Sequence, residues 1–136
     1  MDIKAFAVQP TSRLHLLDAN DEPMYADGDQ SKPIAVQLYG PGSKQYARAF
    51  NEKQNHDVDL LKRKGKTKES AEEARRSNAQ FLSGCTASWE NMEYDELTGD
   101  ELSAAVYSDI SIGFIADQVA AHLRDWGNFT KGSSKP

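Results

Sequence analysis

Cysteine is almost absent: the 136 residues hold one, Cys85. A single thiol excludes an internal disulfide and a cysteine-rich zinc site, so nothing in the sequence calls for an oxidising compartment. Long apolar runs are missing as well. No window approaches the roughly 18 consecutive apolar residues of a membrane span, and the opening MDIKAFAVQP has no apolar stretch of the signal-peptide kind, so neither segment is expected. Large core-forming residues are scarce. Leu, Ile, Val and Phe together supply 25 of 136 residues, and the mean hydropathy is −0.70, values that border on those of disordered chains. The net charge of −5 is too small to hold a chain open, which leaves a modest core with polar ends. A core this thin gains stability by association with copies of itself or with a partner.

Charge of one sign is missing over a third of the chain. Residues 77–123 contain no Lys or Arg and eight acids, whereas residues 44–76 carry ten Lys and Arg against six acids. The overall pI of about 5.2 weighs against a general nucleic-acid binder, which needs clustered cations to neutralise phosphates. The run Lys62-Arg63-Lys64-Gly65-Lys66-Thr67-Lys68 is the exception, yet no aromatic is interleaved for base stacking and Glu69, Glu72 and Glu73 follow it. It reads as a basic connector, or as a docking surface for an acidic partner. A basic middle and an acidic end are either ordinary solvated faces that pair within one chain or complementary patches of the kind that steer head-to-tail contact between copies.

The residues of catalysis are equally sparse. Cys85 lies on an apolar stripe with Phe81 and Trp89, where a buried thiol is inert, and His15, His56 and His122 have no triad-like neighbourhood. Gln118, His122 and Asp125 share a helical face at i, i+4 and i+7 but supply only two good metal ligands. Gly40-Pro41-Gly42-Ser43 lacks the Gly-Lys-Ser/Thr ending of a phosphate loop and the spacing of a dinucleotide fingerprint. Asp95-Glu96 and Asp100-Glu101 stand near helix starts, where the helix dipole favours anions without any catalytic role. No catalytic, cofactor-binding or metal residue is therefore assigned.

What is present is alternation followed by helical periodicity. Leu14 and Leu16 alternate with Arg13, His15 and Leu17, and Ile34, Val36 and Leu38 alternate across residues 34–39, with turn residues between. These predict a small antiparallel hairpin over about residues 11–39. Ser43 is placed as an N-cap, and Tyr46, Ala47, Phe50, Val58 and Leu61 predict a helix over residues 44–64 with one apolar edge, interrupted at Gly65. Ser70 and Glu73 form a capping-box pattern ahead of Ala74, Asn78, Phe81, Leu82, Cys85, Trp89 and Met92, which predicts an amphipathic helix across Gly84. Thr98 and Glu101 repeat the pattern ahead of a short helix. Ser108 or Asp109 can cap a last helix in which Ile112, Ile115, Val119, Leu123 and Trp126 share a face, with Gly127 as its left-handed stop. The expected fold is α+β and predominantly α-helical: one domain over residues 1–129, with a small N-terminal antiparallel β-hairpin, helices over about 43–127, and a flexible tail at 130–136.

Aromatic area exceeds what so small a core needs. Trp89, Trp126, Phe114 and Phe129 are large, and Phe114 lies off the stripe of the last helix, so part of this area is expected to face partners. The residues assigned to self-association or partner binding are Phe114, Val119, Leu123, Trp126, Phe129 and Trp89.

The run Ile34-Ala35-Val36-Gln37-Leu38-Tyr39-Gly40-Pro41-Gly42-Ser43, the break Tyr107-Ser108-Asp109, and the close from Gln118-Val119 to Asp125-Trp126-Gly127-Asn128-Phe129 resemble the tail assembly chaperones of long-tailed, siphovirus-type bacteriophages. Together these stretches span most of residues 34–129. The resemblance implies a non-enzymatic protein of the host cytoplasm, without cofactor, that self-associates, binds the tape measure protein and helps tail tube subunits polymerise around it. It also implies a longer form made by ribosomal frameshifting. Thr130-Lys131-Gly132 can be encoded by ACA AAG GGN, which contains a slippery heptamer, and Arg63-Lys64-Gly65 permits the same heptamer. Rival readings are a minor structural virion protein of tail or head completion, and a small nucleic-acid-binding regulator acting through the Lys62 run.

Overall fold

A computed structural model describes residues 1–64 and 70–130. Three strands, β1 (Thr11–His15), β2 (Ala35–Tyr39) and β3 (Thr86–Glu90), form one antiparallel sheet in the order β1-β2-β3. Four helices, α1 (Lys44–Lys64), α2 (Ala71–Gly84), α3 (Gly99–Ser108) and α4 (Gly113–Arg124), pack with it. The fold is α+β and mostly helical. The expected hairpin is two-thirds of a sheet whose third strand comes from a segment that reads as helix.

Alternation sets which face of the sheet is covered. Ser12 on β1 and Val36 and Leu38 on β2 are buried, and Leu16 beyond β1 is fully enclosed, joining Leu82, Val106, Val119 and Leu123 in one core cluster. The opposite face carries Arg13, Ala35, Gln37, Ser88 and Glu90. There the Arg13 guanidinium donates to both Glu90 carboxylate oxygens, at 2.8 and 3.2 Å, linking the two outer strands across β2.

The predicted helix over residues 70–92 stops at Gly84. Its start is as expected: Ser70 Oγ accepts from the Glu73 N–H, and the Glu73 side chain reaches back to the Ser70 N–H, completing the capping box. At its end the Cys85 N–H donates to the Phe81 and Leu82 carbonyls, and the Cys85 carbonyl accepts from the Tyr39 N–H at 2.7 Å. Beyond that point the open edge of β2 satisfies the backbone better than another helical turn, because Thr86, Ser88 and Trp89 are modest helix formers and β2 offers unpaired groups. Leu38 pairs with Thr86 and Gln37 with Ser88, so Ala87 is an extra residue in a bulge.

Local capping differs from expectation in three places. Thr98 stands at the N-cap of α3, but its side chain makes no capping hydrogen bond. Asp109 caps the 3-10 turn Ile110–Ile112 through the Ser111 N–H, and the N-cap of α4 is Ile112. Gly127 is not a left-handed stop, since α4 ends at Arg124 and Gly127 lies inside the 3-10 turn Trp126–Phe129, capped by Asp125. That turn folds Phe129 back into the core and leaves Trp126 outside, off the buried stripe of α4. Residues 65–69 and 131–136, which include most of the basic run and most of the polar tail, lie outside the described residues.

Candidate partner-binding surfaces

The polar residues of α4 serve the fold. The Gln118 side chain donates through Nε2 to the Leu17 carbonyl at 2.6 Å and accepts through Oε1 from the Leu17 N–H at 2.8 Å. It thus does at the end of β1 what a neighbouring strand would do. One turn on, His122 Nε2 lies 3.0 Å from Ser12 Oγ, its ring meets Phe129 edge-on at 5.4 Å, and the Phe129 carbonyl accepts from the Gln9 N–H. Asp125, third on that helical face, accepts from the Gly127 N–H at 2.9 Å, and no group of three or more metal-ligating side chains occurs among the described residues.

Burial lowers the His122 pKa, outweighing the raising effect of the Asp125 charge. The folded ring stays neutral where the unfolded one, near its ordinary value of about 6.5, takes up a proton. Stability linked to this group is therefore present above that pH and falls as the solution is acidified through it. Urea midpoints compared between pH 7.5 and pH 5.5 should fall less for His122→Gln than for the unsubstituted chain; equal slopes would remove His122 from the account.

Cys85 has no exposed surface, and burial pushes its thiol up to about 12. Tyr107, whose hydroxyl lies 2.6 Å from Thr86 Oγ1, is raised by the same cause. At neutral pH neither supplies a nucleophile, because both stay protonated inside the core.

The six residues assigned to partners do not form one surface. Val119, Leu123 and Phe129 are buried within the chain and complete its own core, so they are not offered to a partner. Phe114 is half-buried against that core. Trp126 is 57% exposed, near Val8 and Gly42. Trp89 is half-buried, donating from Nε1 to Ser103 Oγ at 2.9 Å and leaning on the Tyr107 ring at 5.4 Å. The apolar spacing of α4 marks a real stripe, but spacing is silent on whether a stripe meets its own core or another molecule.

α1 shows the other side of this. Its packing face is Ala49 and Leu60, both buried, with Tyr46, Lys53 and His56 half-buried between and beside them. Here α1 and α2 approach closely, since a Cβ on Gly84 would lie 2.9 Å from that of Ala49. The apolar edge expected from the sequence is mostly the outer one. Phe50 is 44% exposed, Val58 48% and Leu61 46%, with exposed Ala47 in line. At about 100° per residue these four fall within about 80° of arc. Tyr46 stacks on Phe50 and meets Phe81 edge-on, so an aromatic row runs from the partly buried layer out to this face.

A second surface lies beside β3, whose outer edge has no strand partner among the described residues. A groove of about 360 Å³ runs between β3 and the start of α3, lined in part by Trp89, Met92 and Leu97. Asp100 is among its lining residues, and a neighbouring hollow that shares Met92, Leu97 and Thr98 with it is lined by the exposed carboxylates Glu93, Asp95 and Glu96. The segment that carries them is held by the Tyr94 hydroxyl donating to Asp109 at 2.7 Å and by Asn91 donating to the Pro33 carbonyl.

No protein-family model, curated protein or solved structure matches the chain. No helix among the described residues is long and apolar enough to cross a membrane.

Proposed function

We propose that this chain is a non-enzymatic tail assembly chaperone of a long-tailed bacteriophage. In this reading it works in the host cytoplasm, self-associates, binds the tape measure protein, and brings it to tail tube subunits, to which a frameshifted longer form would connect. The observation that supports it most is the outward apolar face of α1. A chain this poor in large apolar residues nevertheless leaves Phe50, Val58 and Leu61 half in water along one helix. Such a face suits a protein whose work is to cover the apolar surface of others, because helix-on-helix recognition reads apolar side chains at spacings of three and four. The sequence resemblance points the same way.

Co-expression with the tape measure protein of the same genome is the test. Tape measure protein that is insoluble alone should become soluble and co-purify with this chain, and purified virions should lack the chain by mass spectrometry. Tape measure protein that stays insoluble, together with stoichiometric chain in the particles, would overturn the reading in favour of a structural virion component.

A further inference from the structure

We infer that copies of this chain associate head to tail, the outer face of α1 on one copy docking against the acidic groove beside β3 on the next. The inference rests on the self-association in the reading above and does not depend on the tape measure protein.

The charges choose the occupant. On a helical wheel, exposed Lys44 and Lys62 both lie about 80° from the centre of the Phe50/Val58/Leu61 face, on the same side, with Arg48 just behind them. Two α1 helices set antiparallel and face to face about their midpoints, near Lys53 and Gln54, would bring Lys44 of each against Lys62 of the other, a like-charge contact repeated twice. Symmetric pairing of this face with itself is therefore disfavoured. The groove beside β3 has the opposite character: apolar side chains of Trp89, Met92 and Leu97 within, the Asp100 carboxylate at its wall, Glu93, Asp95 and Glu96 in the hollow that adjoins it, and no Lys or Arg in the whole of residues 77–123. At about 360 Å³ it accepts one or two large side chains a turn apart, such as Val58 and Leu61, not an entire helix. Lys62, at the same end of α1 as Val58 and Leu61, would then meet the carboxylates at the rim, with exposed Asp57, about 60° to the other side of the face, turned away from them.

Such a contact joins two different surfaces, and every copy carries one of each. Association of this kind propagates into rings or open chains, whereas a contact of one patch with its own copy stops at a dimer. A single helix about 32 Å long presents less than the roughly 800 Å² per partner of a stable interface, so the assembly should depend on concentration and weaken with salt.

The two-surface geometry has a distinctive test by sedimentation velocity on the full chain. Phe50→Glu/Leu61→Glu blocks the helix face and Glu93→Lys/Glu96→Lys reverses the rim; all four side chains are at least partly exposed, and circular dichroism checks that each variant folds. Each variant alone should sediment as a monomer at concentrations where the unsubstituted chain assembles, with at least a tenfold rise in dissociation constant. Mixed in equal amounts they should form a heterodimer and nothing larger, because one keeps the groove and the other keeps the helix. Assembly that persists in both variants would overturn the choice of surfaces while leaving self-association standing. Monomers in the mixture would overturn the head-to-tail geometry. An unsubstituted chain that stays monomeric at every concentration would overturn this inference and the self-association reading together.

Discussion

Phe129→Ala is expected to cost about 3–5 kcal/mol of folding stability, the range for removing a large aromatic side chain from a packed core. Its ring has no exposed surface and lies against His122 and the backbone of Gly40. Little else in the chain can close the cavity, since large apolar residues are few and the neighbouring Gly40 has no side chain to move inward. A domain of this size has about 5–15 kcal/mol in total, so the variant should lose a large share of its urea midpoint, followed by far-UV circular dichroism. Trp126→Ala, three residues earlier and 57% exposed, should move the midpoint by a small fraction of that. The pair separates core from surface within a segment whose two aromatics look alike in sequence. A Phe129→Ala chain within about 1 kcal/mol of the original would contradict the core assignment.

Local signals were legible because they are satisfied locally. Ser43 caps α1, its Oγ accepting from the Tyr46 N–H at 3.1 Å, and the predicted bounds of that helix agree with Lys44–Lys64. The Ser70 and Glu73 box is present for the same reason: its donors and acceptors lie within four residues. β3 was not legible. Phe81, Cys85, Trp89 and Met92 fit one helical face, and what makes a strand of Thr86–Glu90 is the open edge of β2, some fifty residues away in sequence. Side-chain burial followed the same rule. The stripe on α1 and the stripe on α4 are both real, yet one faces out and the other in, because packing on α1 uses Ala49, Leu60 and the stem of Lys53 instead of its larger apolar groups. Phe129 had no periodic signal at all, since a 3-10 turn after α4 carries it back into the core. The acidic groove was half visible, as a run of carboxylates without cations. Its apolar lining required the Trp89 segment to be strand.

Gly40→Ala is the second large effect expected, and it follows from close approach, not from backbone conformation, as Gly40 does not have a positive φ. A Cβ at this position would overlap the Phe129 ring. Neither side can yield easily. The Gly40 N–H donates to the Pro10 carbonyl at 2.9 Å, and its carbonyl accepts from the Ser43 hydroxyl, which also caps α1. Moving the backbone thus disturbs both the end of β2 and the start of α1, while moving the ring disturbs the packing on His122. Overpacking of this kind costs about 1–3 kcal/mol, and loss of the cap would add about 1 kcal/mol. The test is a double-mutant cycle. In the Phe129→Ala background the clash is gone, so adding Gly40→Ala should cost little and the two effects should fall short of additive by about 1 kcal/mol or more. Additive costs would mean that the ring does not rest on this glycine, and the closure of the C-terminal turn would have to rest on the Gln9 N–H bond to the Phe129 carbonyl and the His122 ring contact instead.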